Sequence, residues 1–165
     1  MILILPGFSI KNKEEAESIA SALREKGEQV HLHMWRHWDS PDTKFDPEVE
    51  IDLIKQHIRN PSELNIVGKS IGTYIASLML KDTTVNRLVL LGIPAKDLNP
   101  EELAAYTNLS NLEHFVVIHN DKDPHGDIQA VEDLLSGLEY ELILKEADHH
   151  SYNYVEDIIE ALGLS

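Results

Sequence analysis

The chain has 165 residues, which is enough for one domain with a substantial core and too few for two. Its formal net charge of −15 argues against nucleic acid or an anionic membrane as a partner, and the lack of cysteine excludes disulfides, thiol catalysis and cysteine-ligated metal. The apolar start is too short for a signal-peptide core, and no run reaches membrane-spanning length, so we expect a soluble cytoplasmic protein.

Short apolar segments alternate with segments of helical periodicity along the chain. The predicted strands are residues 2–5, 29–34, 64–67, 85–91, 115–119 and 140–144. The predicted helices are residues 13–26, 48–60, 71–81, a short helix within 95–111, 128–135 and 152–162. Residues 29–34 alternate apolar and polar side chains, which is typical of an edge strand with one wetter face. Residues 35–47 contain Pro41 and Pro47 and are predicted to form a loop.

This alternation predicts the fold class. Strands that alternate with helices connect through right-handed crossovers, so we expect an α/β fold. It would be a three-layer α/β/α sandwich with a six-stranded, mostly parallel sheet, in a single domain over residues 1–165. The site of such a sheet lies at the carboxyl ends of its strands. The loops there carry Phe8, Ser70, Asp123 and His149, after the first, third, fifth and sixth predicted strands.

The stretch 64–74 has the pattern of a strand, a tight turn and the start of a helix. Its centre, Gly68-Lys69-Ser70-Ile71-Gly72, fits G-x-S-x-G. A serine at such a tip has strained backbone, and the positions two before and two after it must lack side chains so that strand and helix can approach closely. In this setting the pattern resembles the nucleophile elbow of the α/β-hydrolases, which implies that Ser70 is a nucleophile.

The α/β-hydrolase resemblance also implies an acid and then a histidine, in that chain order. Asp123 stands directly before a proline after a predicted strand, as the family's acid does, and Asp121 is the alternative. His149 follows a small-residue turn at the matching offset and is predicted to be the base; His150 is the alternative base and is otherwise a neighbour at the rim. The family usually has a glycine before this histidine, where this chain has Asp148.

The same resemblance implies two backbone donors for an oxyanion. One is the amide of Ile71, at the start of a helix, and the other is the amide of Phe8. The loop Pro6-Gly7-Phe8 is similar to the His-Gly-x of many members, and the ring of Phe8 would line the acyl pocket. The match begins at what would be the family's third strand and includes no long cap insertion. The chain resembles the minimal bacterial serine hydrolases, including the group related to retinoblastoma-binding protein 9.

The resemblance therefore implies a serine hydrolase that cleaves small ester, thioester or amide substrates through a Ser-His-Asp triad and an acyl-enzyme, without a cofactor or metal. The alternative is a catalytically inert binding protein on the same fold. A nucleotide-binding flavodoxin-like domain is disfavoured, because the first strand–helix turn lacks G-x-G-x-x-G. A metal site at His31, His33 and His37 is also disfavoured, since no carboxylate or cysteine accompanies them at zinc-motif spacing. We expect these histidines to be polar residues on the outer face of an edge strand.

Three further residues have a structural interpretation. Lys69 is predicted to be a solvated surface lysine or to pair with a local carboxylate, in preference to the alternative that it tunes Ser70. Trp35 and Trp38 are predicted to anchor packing, and Trp38 could reach the pocket rim. The pattern identifies neither the acyl group, nor a protein partner, nor an oligomeric state.

Overall fold

A six-stranded parallel sheet forms the centre of the protein in a computed structural model that describes residues 1–59 and 61–164. The strands are β1 (Ile2–Leu5), β2 (Val30–Leu32), β3 (Asn65–Lys69), β4 (Arg87–Leu91), β5 (Val116–Asn120) and β6 (Glu141–Lys145). Across these described ranges the order is β2-β1-β3-β4-β5-β6, and every neighbouring pair is parallel. The predicted α/β fold is confirmed, and β2 lies at an edge, as its alternating pattern indicates.

Helices connect the strands and cover both faces of the sheet. They are α1 (Lys13–Glu25), α2 (Arg36–Asp39), α3 (Pro47–Lys55), α4 (Ile71–Met79), α5 (Pro100–Ala104), α6 (Ile128–Leu134) and α7 (Val155–Ala161). Local sequence sets several of their starts: the Asp46 side chain accepts hydrogen bonds from the amides that open α3, and Asn99 forms a capping box with Glu102 at α5. Among the described helices, none has the length and apolar character needed to cross a membrane.

Alternate residues of the strands pack into two apolar cores. In β1, Leu3 and Leu5 belong to the cluster that includes residues of α3, α4 and α6, whereas Ile2 and Ile4 belong to the cluster that includes residues of α1 and α7. The sheet is therefore covered on both sides, which explains why its central strands read as continuous apolar runs. This three-layer packing leaves the loops at the carboxyl ends of the strands free to form a site.

Two segments differ from the sequence prediction. The predicted loop 35–47 contains α2, because the indole N–H groups of Trp35 and Trp38 bind carbonyls of the loop after β1 and hold this segment against it. Helix α7 begins at Val155 rather than at residue 152. The residues directly before α7 form no regular secondary structure, and Tyr152 is buried.

Helix α3 carries a buried acidic residue that the sequence did not indicate. The helix ends at Lys55, and its predicted end at residue 60 lies outside the described residues. Its Glu50 is fully buried and pairs with His33, at 2.8 Å between Nε2 and Oε2, and with the Nε of Arg36. His33 is therefore buried against a carboxylate, and its assignment to a solvated strand face is wrong.

Candidate functional site

Ser70 occupies a strained turn between β3 and α4. Its φ of 54° and ψ of −119° make it the one non-glycine residue with positive φ in the described part of the chain. The two glycines of the motif permit the close packing of this turn. A Cβ on Gly72 would lie 2.0 Å from the carbonyl oxygen of Leu5, and a Cβ on Gly68 would lie 2.7 Å from the carbonyl oxygen of Gly72. The G-x-S-x-G pattern therefore corresponds to a geometric requirement between β1, β3 and α4.

A chain of two hydrogen bonds joins Ser70, His150 and Asp123. The distance from Ser70 Oγ to His150 Nε2 is 2.9 Å, and that from His150 Nδ1 to Asp123 Oδ2 is 2.6 Å. An ionised carboxylate can only accept, so Nδ1 carries the proton and Nε2 accepts from the serine hydroxyl. We refer to these three side chains as the relay. Its atoms are arranged so that the imidazole can take the serine proton while the carboxylate stabilises the resulting charge.

The histidine of the relay is His150, and the prediction of His149 for that place is wrong. His149 is exposed, its Nδ1 accepts from the amide of Ser151 at 3.2 Å, and its carbonyl accepts from the side chain of Asn120 at 2.8 Å. These bonds tie His149 to Asn120 and Ser151. The two histidines are adjacent in an irregular loop without periodicity, so sequence spacing does not distinguish them and leaves His150 as the alternative to His149.

The two aspartates of the loop after β5 have different hydrogen-bond partners. The side chain of Asp123 is fully buried; its Oδ1 accepts from the amide of His125 at 2.8 Å, and its Oδ2 accepts from His150 and from the hydroxyl of Tyr152. Burial alone would raise the pKa of Asp123, but these hydrogen bonds outweigh it and hold the pKa below its ordinary value. Asp121, the alternative acid, instead accepts from the amide of Ala147. This bond ties the loop after β6, which carries His150, to the loop after β5.

The loop after β1 is held by ring N–H groups from the segment around α2. Nε1 of Trp35 donates to the carbonyls of Pro6 and Gly7, at 3.1 and 3.0 Å. The carbonyl of Phe8 accepts from Nε1 of Trp38 at 2.9 Å, and also from the ring of His37 at 2.6 Å. The tryptophans therefore do more than pack: they set the orientation of successive peptide groups in this loop.

The bond to Gly7 also orients the amide of Phe8. The carbonyl of Gly7 and the N–H of Phe8 belong to one peptide group, and the described residues contain no cis peptide bond. In a trans peptide these two groups point in opposite directions, so the Phe8 N–H points away from Trp35. The ring of Phe8 is half exposed and stacks on His37 at 4.2 Å between centroids. The amide of Ile71, the second sequence-predicted donor, lies in the first turn of α4, where helix geometry supplies no acceptor for it.

Lys69, next to Ser70, is buried rather than solvated. Its Nζ donates to Oδ1 of Asn12 and lies 3.9 Å from a carboxylate oxygen of Glu15. Burial lowers its pKa, and the charges of Glu15 and Asp123 partly oppose that shift. Asn12 in turn packs against Gly7, where an added Cβ would lie 2.5 Å from its Cγ. Lys69 therefore links the serine turn to the loop after β1.

A second histidine lies against the relay, and the sequence prediction missed it. The ring of His125 is 4.2 Å from that of His150 between centroids, and its Nδ1 is hydrogen-bonded to the carboxylate of Asp97. The amide of Lys96 donates to the carbonyl of His125 at 2.9 Å. The segment after β4 is therefore joined to the loop after β5, beside His150. Only the tertiary contact identifies this pair, because 28 residues separate Asp97 from His125.

The three histidines considered for a metal do not converge. His31 stacks on His57 with 4.0 Å between centroids, His33 pairs with the buried carboxylate of α3, and His37 bonds to a backbone carbonyl. Over residues 1–59 and 61–164, no group of three or more histidine, aspartate or glutamate side chains has the geometry to hold a metal ion.

The fold resembles solved hydrolase structures. A serine hydrolase without lid from Xanthomonas campestris superposes with a TM-score of 0.76 and 22% identity, over 98% of this chain and 78% of that one. An alpha-beta serine hydrolase homologue from Coxiella burnetii gives 0.70 and 16%, over 99% and 82%. The esterase domain of a Rhodothermus marinus protein gives 0.69 and 15%, over 98% and 83%. At these identities the likeness shows the fold alone.

Sequence comparison identifies the family. No curated relative matches the chain. The model of the alpha/beta hydrolase domain family matches residues 13–157, which is most of the chain and includes Ser70, Asp123 and His150. The narrower resemblance to the retinoblastoma-binding protein 9 group stays a prediction. Because the family model covers well over half of the chain, this protein belongs to the alpha/beta hydrolase family.

Proposed function

We propose that this protein is a serine hydrolase that cleaves small ester, thioester or amide substrates, with Ser70 as nucleophile, His150 as general base and acid, and Asp123 as the orienting carboxylate. The observation that carries the proposal is the relay, with its bonds of 2.9 and 2.6 Å. Family membership and the esterase fold of the Rhodothermus marinus neighbour support the same reaction class.

The reaction proceeds in two half-reactions. Oγ of Ser70 attacks the substrate carbonyl while Nε2 of His150 takes its proton, and the carbonyl oxygen becomes an oxyanion. Collapse of this intermediate breaks the bond to the leaving group, which receives the proton from His150, and leaves an acyl-serine. Water then attacks the acyl-serine with His150 again as base, and the acid product leaves as Ser70 recovers its proton. No step requires a cofactor.

Two backbone amides supply the oxyanion donors in this proposal, those of Ile71 and Phe8. The Ile71 amide opens a helix, and the orientation of the Phe8 amide is set by the bond from Trp35 to Gly7. The half-exposed ring of Phe8, stacked on His37, forms an apolar wall beside them for the acyl group. The segment 95–111 contains only short helices, which fits an open site and small substrates.

The test compares four variants on one short ester, p-nitrophenyl acetate, with a fluorophosphonate probe as a second readout. Ser70→Ala and His150→Ala should each lower kcat by at least about 10³-fold, because removal of one member disables the whole relay. Asp123→Asn should also lower kcat strongly. His149→Ala is the matched control, one residue away and outside the relay, and should keep kcat within about threefold.

The outcomes separate the alternatives. Labelling of wild-type Ser70 that is lost in Ser70→Ala supports the hydrolase. A large loss in His149→Ala with retained activity in His150→Ala would overturn the assignment of the base. If folded wild-type protein neither reacts with the probe nor hydrolyses esters, the hydrolase proposal fails, and an inert binding protein on this fold remains.

A further inference from the structure

The hydroxyl of Tyr152 shares one oxygen of Asp123 with His150. It lies 2.6 Å from Oδ2, which also accepts from Nδ1 of His150 at 2.6 Å. The side chain of Tyr152 is completely buried and belongs to the core on the α1 and α7 side. The sequence pattern assigned no function to this tyrosine.

The proton of Tyr152 is directed at Asp123. The phenol oxygen accepts from the amide of Asn120 at 3.0 Å, and an amide can only donate, so the hydroxyl proton is free to point at the carboxylate. Burial, together with the neighbouring Asp123, raises the pKa of Tyr152 far above its ordinary value, so the phenol stays protonated. The tyrosine is therefore a permanent neutral donor to the relay.

The position of the ring is fixed from three sides. The backbone N–H of Tyr152 donates to Glu15 at 3.0 Å. A Cβ added to Gly92 would lie 2.4 Å from the ring, so the turn after β4 packs directly on it. The ring also meets the imidazole of His150 edge to face, 5.8 Å between centroids. A donor held in this way keeps its direction when the imidazole changes charge.

We propose that Tyr152 is a positioning residue that weakens the pull of Asp123 on the proton of His150, and this proposal rests on the proposed function. A carboxylate oxygen that accepts two strong hydrogen bonds offers less charge to the imidazolium than one that accepts a single bond. The carboxylate therefore stabilises the charged form of the imidazole less than it would without the phenol. Loss of the phenol should raise the pH at which the relay takes up a proton.

Other titratable groups surround the relay and stay in place in the test. The loop after β5 carries His125, whose partner Asp97 lies after β4. Strand β5 carries His119, whose ring nitrogen bonds to the carbonyl of Gly126. On the α1 side the charged groups are Glu15 and Lys69. Since a single variant at Tyr152 leaves all of these unchanged, a shift of the titration reports the phenol.

The experiment measures kcat/KM for p-nitrophenyl acetate against pH in wild type and in Tyr152→Phe. The phenylalanine keeps the ring and removes only the hydroxyl. The acidic limb of this pH profile should move to higher pH by on the order of half a unit, because Asp123 without the phenol holds the imidazolium more strongly. In parallel, NMR of histidine-labelled protein follows the titration of His150, whose signal is identified by its loss in His150→Gln, and should show the same upward shift.

Tyr106→Phe is the matched control. Tyr106 is a buried tyrosine whose hydroxyl bonds to Thr73 at 2.6 Å. This variant also loses a buried hydroxyl, but its lost bond is to Thr73, whereas Tyr152→Phe loses the bonds to Asp123 and to the backbone amide of Asn120. Its acidic limb and His150 titration should stay at the wild-type pH. A Tyr152→Phe profile that falls in height with an unmoved midpoint, or moves to lower pH, would refute the proposal and leave a purely structural role.

The readouts also separate this inference from the proposed function. If wild type and variant both fail to hydrolyse the ester, the hydrolase proposal fails, and the NMR midpoint of His150 still decides the effect of Tyr152. If Tyr152→Phe does not fold, the same NMR titration of His150 is measured on wild-type protein grown with 3-fluorotyrosine. The more acidic phenol donates more strongly, so the His150 midpoint should move downward, and an unmoved midpoint would count against the proposal.

Discussion

The loop after β1 offers the sharpest test of how the proposed oxyanion donors are held. Trp35→Phe keeps an aromatic ring in a completely buried position and removes the single N–H that serves the carbonyls of Pro6 and Gly7. In the wild type that N–H orients the peptide group that carries the amide of Phe8. The variant should therefore lose stability and transition-state stabilisation together, through one missing donor.

The magnitudes follow from those contacts. A shared hydrogen bond to two buried carbonyls, with the volume lost from indole to phenyl, corresponds to about 2–4 kcal/mol of unfolding free energy. For a chain of this length that lowers Tm by roughly 6–12 °C. Removal of one oxyanion donor costs up to about 10²–10³ in kcat, so a donor that is loosened rather than deleted should cost about tenfold, with KM nearly unchanged.

The assay is steady-state hydrolysis of p-nitrophenyl acetate, 15 °C or more below the measured Tm, with circular dichroism as a check of folding. Trp38→Phe is the control. Its N–H bonds to the carbonyl of Phe8, which belongs to the next peptide group, and His37 bonds to the same oxygen. This control should lose less than about twofold in kcat. A Trp35→Phe protein with lowered Tm and wild-type kcat would refute the argument that Trp35 orients an oxyanion donor.

Three further predictions follow from backbone geometry and burial. Ser70→Gly should be more stable than Ser70→Ala by about 0.5–2 kcal/mol in urea unfolding, because glycine relieves the strain at φ 54° and loses part of that gain to its greater unfolded-state entropy; equal stabilities would contradict the strain. Gly72→Ala should fail to fold, or lose more than about 3 kcal/mol, because its Cβ would lie 2.0 Å from the carbonyl of Leu5. Gly27→Ala, with open space around its Cβ but φ of 87°, should cost only about 1 kcal/mol in the same measurement. Burial and neighbouring histidines lower the pKa of His31 from 6.5 to about 4, so the unfolded chain binds this proton first and the folded state loses stability as the pH falls from 6.5 to 4. His31→Gln should flatten the dependence of Tm on pH within that window, and an unchanged slope would show that the pKa of His31 is not depressed.

The sequence predicted most of the architecture, and particular residues show why. The run Ile2 to Leu5 is apolar throughout because β1 is buried on both faces, whereas the alternation near Val30 marks an edge. Gly68 and Gly72 indicate the tight turn in the sequence, because the turn at Ser70 leaves no space for a Cβ at either position. These features depend on periodicity or on the absence of a side chain, and both are local properties.

The site was predicted less completely. Ser70 and Asp123 lie in the relay as their places after β3 and β5 led us to expect, but the imidazole between them belongs to His150 and not to His149. The loop before α7 has no repeating geometry, so a one-residue offset decides which ring turns inward. Tyr152 carries no motif at all.

The sequence by itself determined that this is a parallel α/β protein with a serine at a tight strand–helix turn, because hydrophobic periodicity and glycine placement act over a few residues. The tertiary structure alone decided which histidine meets the serine, which carboxylate is buried, and that Trp35, Lys69 and Tyr152 hold the site together. Those contacts join residues between 28 and 80 apart along the chain. They depend on how loops that follow different strands pack together at one edge of the sheet, and a local sequence pattern does not predict that packing.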